Sequence, residues 1–140
     1  DRFLDMIRTT ILLLIITPTL YSFSQNNKYE PINTGVNMTV AIMSVDSLLV
    51  VGDTILALYT DNGVLKYGGQ TIWSGRRVAI AIWGDDSTTA EKDGFSNGEN
   101  IEWAVSKNDS LFSVIPQYRV GNNTWSPNGI SIIDSLNYVY

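Results

Sequence analysis

From Asn37 onward, short apolar runs are cut by Gly, Asn, Asp or Pro roughly every 8 to 12 residues, and none carries the period of an amphipathic helix. That spacing restricts the chain to an all-β architecture. In Asn37-Met38-Thr39-Val40-Ala41-Ile42-Met43, Met38, Val40 and Ile42 share one face, the period-two mark of a half-buried strand. Ser47 to Val51 and Thr54 to Tyr59 read as two short strands joined through Gly52-Asp53. Asp61-Asn62-Gly63 is a second hairpin signal, because Asn-Gly readily takes the positive φ of a tight turn. Val64 to Tyr67 follows and stops at Gly68-Gly69. Arg77 to Trp83 is the most strand-like stretch, and its small residues opposite branched ones predict burial on both faces. Gly84 to Gly98 is a polar loop, Glu99 to Ser106 alternates again, and Pro116 marks an edge or bulge in Leu111 to Tyr118. Gly121 to Gly129 is a loop before a last strand within Ile130 to Tyr140. Short strands with unequal loops predict a Greek-key β-sandwich of about 7–8 antiparallel strands.

The other constraint lies ahead of the strands. Met6-Ile7-Arg8, the apolar run Ile11 to Ile16, and the small-residue run Ser22-Phe23-Ser24 follow the charged, apolar, small order of a secretory signal. The apolar run is far short of the ~20 residues that span a bilayer, so a helical signal peptide is expected here and no stable membrane span. Residues 1–5 stand upstream of the initiator Met6, residues 6–24 form the signal, residues 25–36 a polar leader, and residues 37–140 the domain. The expected location is secreted or cell surface, and Asp1 to Asp5 together with the stop at Tyr140 suggest a C-terminally truncated frame.

An exported chain without Cys has no disulfide to constrain its unfolded state, so its core alone must hold it. Removing residues 1–24 takes two charges of each sign, leaving seven basic and twelve acidic residues, a balance of −5. This disfavours nucleic acid, whose phosphates require a basic footprint, and Arg76-Arg77 is too small a patch to reverse it.

His and Cys are both absent from the sequence, which removes Ser-His-Asp and Cys-His nucleophiles, His zinc sites and thiol redox chemistry. No catalytic residues are assigned and the chain is read as a non-enzyme. A small carboxylate-dependent hydrolase would need two acids drawn from Asp85, Asp86, Glu91, Asp93, Glu99 and Glu102. The same acidic loop has two other readings. Asp85, Asp86 and Asp93 could hold Ca²⁺, the one cofactor considered, although their spacing is not that of an EF-hand. Alternatively they form Asx and Ser/Thr turns in a solvated loop. Trp83 and Trp103 fall in phase with strands and read as core. Trp73, beside Ser74-Gly75, and Trp125, beside Ser126-Pro127, are the pair expected to stand exposed as a stacking platform, the basis of a carbohydrate-binding alternative.

Several segments together resemble a known family. Asn37-Met38-Thr39-Val40, Gly52-Asp53-Thr54-Ile55-Leu56-Ala57-Leu58-Tyr59, Gly69 with Trp73-Ser74-Gly75, Ala79 to Asp86, and Lys92-Asp93-Gly94-Phe95 are similar to β-sandwich modules of secreted and cell-surface Bacteroidota proteins. Such modules recur in long chains that end in a type IX secretion sorting domain. The resemblance covers about Met38 to Trp103. It implies a non-catalytic module for adhesion or structural display, whose partner is an extracellular glycan or a surface protein.

Overall fold

The computed structural model describes residues 29–139. The signal segment, the residues before it and the first part of the leader lie outside the described residues. Seven strands follow in chain order: β1 (Asn37–Ile42), β2 (Thr54–Asp61), β3 (Val64–Ile72), β4 (Val78–Trp83), β5 (Glu102–Lys107), β6 (Ser110–Val120) and β7 (Ile130–Tyr138). They form one sheet in the order β3-β2-β5-β6-β7-β1-β4. The all-β expectation holds. The Greek-key sandwich of antiparallel strands is not the arrangement found, because the sheet is continuous and mixed. β1 pairs antiparallel with β4, Asn37 opposite Trp83, and parallel with β7, Thr39 opposite Ile130. Alternation along a strand reports which face is buried; it carries no information on the neighbour's direction.

The sheet curls until its two ends meet. Gly69 in β3 lies against β4 so closely that a β-carbon there would sit 2.6 Å from the Ala81 carbonyl oxygen. Only glycine permits this approach, and it brings the sheet near to a closed barrel. Of the two glycines that sequence reading takes as the end of β3, Gly69 is therefore its point of contact and Gly68 faces the Phe95 ring, and the strand continues to Ile72.

One buried cluster fills the interior, with Val40, Ile42, Ile55, Ile80, Ile82, Phe95, Ile101, Val105, Ile133 and Leu136 almost wholly shielded from water. β6 bends around this core. Its Ser110–Ser113 portion pairs with β5 and its Val114–Val120 portion with β7, with bulges around Tyr118. Pro116 falls in the second portion, where β6 has a ladder on one side only, so its missing N–H leaves no bond unmade. Where β5 and β6 diverge, Asn123 fills the gap. Its Nδ2 donates to the Ile101 carbonyl (2.8 Å), and its Oδ1 accepts from Trp103 Nε1 (3.0 Å) and the Tyr118 hydroxyl (2.9 Å).

Two local expectations are corrected. Ser47–Val51 is a capped loop, because aspartates at both ends take its amides: Asp46 Oδ1 accepts from Leu48 N (3.1 Å) and Asp53 Oδ2 from Val50 N (2.9 Å). Leu49 alone turns into the core. β4 buries one face only, Ile80 and Ile82, while Ala79 and Ala81 are exposed because no described residue covers the outside of this end strand. Burial on both faces belongs instead to β2, whose Leu56 and Leu58 form a second, outer cluster with Tyr29 and Ala104. The Asn62-Gly63 turn is as expected, with φ of 49° and 79°.

Candidate functional site

The acidic loop after β4 is anchored by its ends. Gly84 and Phe95 form a parallel bridge, Asp85 N donates to the Phe95 carbonyl (2.9 Å), and Phe95 N donates to the Trp83 carbonyl (3.0 Å). This drives the Phe95 ring into the core. The three aspartates expected as calcium ligands then bind the loop itself. Asp85 Oδ1 accepts from Asp93 N (2.9 Å), Asp93 Oδ1 from Asp86 N (2.8 Å), and Asp86 Oδ1 from Thr88 N (2.9 Å) and Thr88 Oγ1 (2.7 Å). The Thr88 hydroxyl and then its amide hold the Asp86 carboxyl below the usual carboxylate range. Among the described residues, no three His, Cys, Asp or Glu side chains are grouped so as to hold a metal ion. The arrangement is that of a loop built from Asx and Ser/Thr turns.

Glu99 closes the same loop onto β2. Its carboxylate forms an ion pair with Lys92 (2.8 Å) and accepts from Ser96 N (2.8 Å) and Thr60 N (3.0 Å), while Lys92 Nζ also donates to the Thr60 carbonyl (2.7 Å). Burial pushes the Glu99 carboxyl up, but the Lys92 hydrogen bond and the two amides outweigh it and leave it below its ordinary value. A depressed carboxyl contributes stability that is present above its unfolded pKa of about 4.3 and is lost as pH falls through the folded value. Glu99→Gln is therefore expected to lower stability by about 1.5–3 kcal/mol at pH 7, as for hydrogen bonds to charged groups. Denaturant melts at several pH values check it, since the gap to wild type must shrink as pH drops below about 4.

Of the remaining acids, Glu102 is exposed on β5 and Glu91 is exposed in the loop. Neither Trp73 nor Trp125 stands out as a platform. They are 8% and 4% exposed, both within the central core. Trp73 is drawn in by its own backbone, which exchanges bonds with the Gly52-Asp53 turn: Gly52 N to the Trp73 carbonyl (2.9 Å) and Trp73 N to the Asp53 carbonyl (2.8 Å). Trp125 donates its indole N–H to the Ile82 carbonyl (2.9 Å) and packs its ring against Gly84. Their flanking Ser, Gly and Pro place them in connections, but a connection can turn its aromatic inward when a strand end leaves a hole.

The surface feature that sequence reading missed is a groove of about 350 Å³ lined by Leu48, Lys107, Phe112, Tyr138 and Val139. Leu48, Phe112 and Val139 are 52%, 44% and 57% exposed, and Phe112 meets Tyr138 edge to face at 5.9 Å. The walls come from four places: the capped loop, the end of β5, the start of β6 and the end of β7. Lys107 Nζ is fixed at one side by the Leu48 carbonyl (2.8 Å) and Asp53 Oδ2 (3.3 Å). None of the described residues lining it is a carboxylate; Asp46 and Asp53 stand behind it, bonded to the Tyr138 amide and to Lys107. Glu102 and Lys107 bound β5, so the groove lies about 17 Å along that strand from the end where the acidic loop docks. One sequence signal was present: Leu111 and Phe112 are consecutive in a strand, so both cannot face one core.

No family model matches the sequence, and no curated protein matches it. Among solved structures the chain is similar to an alternative pilotin from the type II secretion system of Vibrio cholerae, at 8% identity and a TM-score of 0.37 over 74% of this chain and 96% of that chain. A likeness that distant transfers no function.

Proposed function

We propose that the chain is an exported, non-catalytic module that attaches to a surface protein, with the apolar groove as its contact. The observation that carries this reading is the groove itself: exposed Leu48, Phe112 and Val139 converge beside a lysine already held in an ion pair. Isolated exposed apolar residues are ordinary, but ones that converge on a single concavity favour a binding surface. Aliphatic and aromatic walls suit an apolar side chain of a protein partner. A sugar is the less favoured occupant, because the lysine beside the aromatic pair already bonds the Leu48 carbonyl and Asp53, and the two indoles on which the carbohydrate reading rested are in the core.

Four of the six acids that a hydrolase could draw on are committed elsewhere, and the other two, Glu91 and Glu102, stand exposed in different elements. Asp85, Asp86, Asp93 and Glu99 accept backbone amides, and Glu99 is also neutralised by Lys92. Export follows from the charged, apolar and small-residue order of residues 6–24, and a surface location is the setting in which attachment has a use. Beads coated with the chain test the reading. They are expected to be retained on cell-surface proteins and not on a glycan array, with no release of sugar from polysaccharides. Turnover of any tested polymer without retention would contradict it.

A further inference from the structure

The second buried cluster lies on the outside of the sheet, and among the described residues one side chain from outside the strands covers it. Tyr29 sits over Leu56, Leu58 and Ala104, with its ring edge to face against Tyr67 at 4.8 Å and its hydroxyl sharing a hydrogen bond with Ser106 Oγ at 3.0 Å. These groups form a slot matched to a tyrosine: an apolar floor, an aromatic wall and one hydroxyl at the depth of the phenol.

The segment that delivers Tyr29 is anchored again near its far end. There the Thr34 hydroxyl donates to the Gly84 carbonyl, and Gly84 N donates to the Val36 carbonyl (2.9 Å). Between the anchors, Glu30, Ile32 and Asn33 are exposed. Next to the second anchor lies a turn, with Gly35 at φ 90° and its N–H bonded to Asn33 Oδ1 (3.0 Å). Residues 29–36 thus form a strap that runs from the outer face of β2 and β5 to the end of β4, held at both ends and exposed between.

We propose that the slot accepts Tyr29 from a second copy of the chain, so that two copies exchange straps. Each exchanged strap makes the contacts it makes at home, so contact energy does not oppose exchange, and the turn at Asn33–Gly35 supplies the change of direction. What opposes it is the high effective concentration of a chain's own strap, in the millimolar range for a short flexible tether. Exchange is therefore a property of crowded copies, such as molecules held together at a surface. It is independent of the groove and of what binds there.

The test uses the full chain and a synthetic peptide of residues 29–36. A chain carrying Tyr29→Ala has an open slot and is expected to bind the peptide at least tenfold more tightly than wild type, whose slot is filled. Peptide made with Tyr29→Ala should bind neither chain. In light scattering, wild type near millimolar concentration should form dimers that dissociate on dilution, and the Tyr29→Ala chain should remain monomeric. Ser106→Ala leaves the apolar floor and is expected to weaken peptide binding to the open slot by about threefold to tenfold, the loss of one hydrogen bond. Equal peptide binding by wild type and Tyr29→Ala, or dimers that persist in the Tyr29→Ala chain, would overturn the proposal.

Discussion

Trp125→Ala is expected to cost about 3–5 kcal/mol, the range for removing a buried aromatic from a packed core. The indole is 4% exposed and its N–H donates to the Ile82 carbonyl at 2.9 Å. It sits where the Gly84 and Gly121–Gly129 segments meet, and its backbone is bonded to Glu99 and Gly98 on the acidic-loop side. Deletion leaves a cavity lined by groups that cannot collapse, since the Gly84 backbone is held by the Val36 carbonyl. Against a typical net stability of 5–15 kcal/mol, the loss would be a large fraction. Urea unfolding measures it as a fall in midpoint at constant slope. Trp125→Phe keeps most of the ring and loses the hydrogen bond, so about 1–2 kcal/mol is expected.

Asn123→Leu is expected to be comparably severe, about 3–5 kcal/mol, for a different reason. The side chain changes little in volume, but the Ile101 carbonyl, the Trp103 indole N–H and the Tyr118 hydroxyl all lose their partner. Unmet buried polar groups cost about 1–3 kcal/mol each, and two of these groups retain only the longer bond between Trp103 Nε1 and Tyr118 Oη, at 3.3 Å. Burial pushes the Tyr118 phenol up to about 12, with the Trp103 N–H pulling the other way. The stability that a raised phenol contributes is present below its unfolded pKa near 10 and is lost as pH rises through the folded value. Asn123→Leu should thus be read out at pH 7 by urea unfolding, and because the shift comes from burial of the phenol, wild type and variant should both lose stability between pH 10 and about 12. Asn123 and Trp125 are close neighbours, so the double variant should lose less or more than the two single losses combined.

The parts of this fold that local chemistry decides were legible. Val78 to Trp83 and Asn37 to Ile42 alternate, and Asn62-Gly63 can do little other than turn. The parts that depend on distant residues were not. Nothing local says that β1 lies parallel to β7, or that Gly69 will touch Ala81 and draw the sheet ends together. The acidic loop illustrates the same division. Its aspartates invite a cation as readily as an amide, and only the fold shows Asp85, Asp86 and Asp93 each facing a backbone N–H.

Burial of Trp73 and Trp125 was illegible because their neighbours are loop residues, and the inward turn is imposed by Asp53 and Ile82 from elsewhere in the chain. The groove escaped notice because Leu48 and Phe112 lie in apolar runs that read as core. A strand covered on one face must expose every second residue, and the bend of β6 exposes more. Sequence patterns give the direction of a side chain only after the strand's path is known.

Attachment is the central claim, and Phe112→Glu tests it most directly. Phe112 is 44% exposed, so a charge there stays in water and the folding cost is about 0.5–1.5 kcal/mol for the lost edge contact with Tyr138, while a carboxylate is placed in the middle of an apolar contact. Beads carrying wild type and Phe112→Glu, matched in density and both folded at the assay temperature, are compared for retention on a cell surface. The account predicts at least a tenfold loss of retention for Phe112→Glu; retention equal to wild type would contradict it.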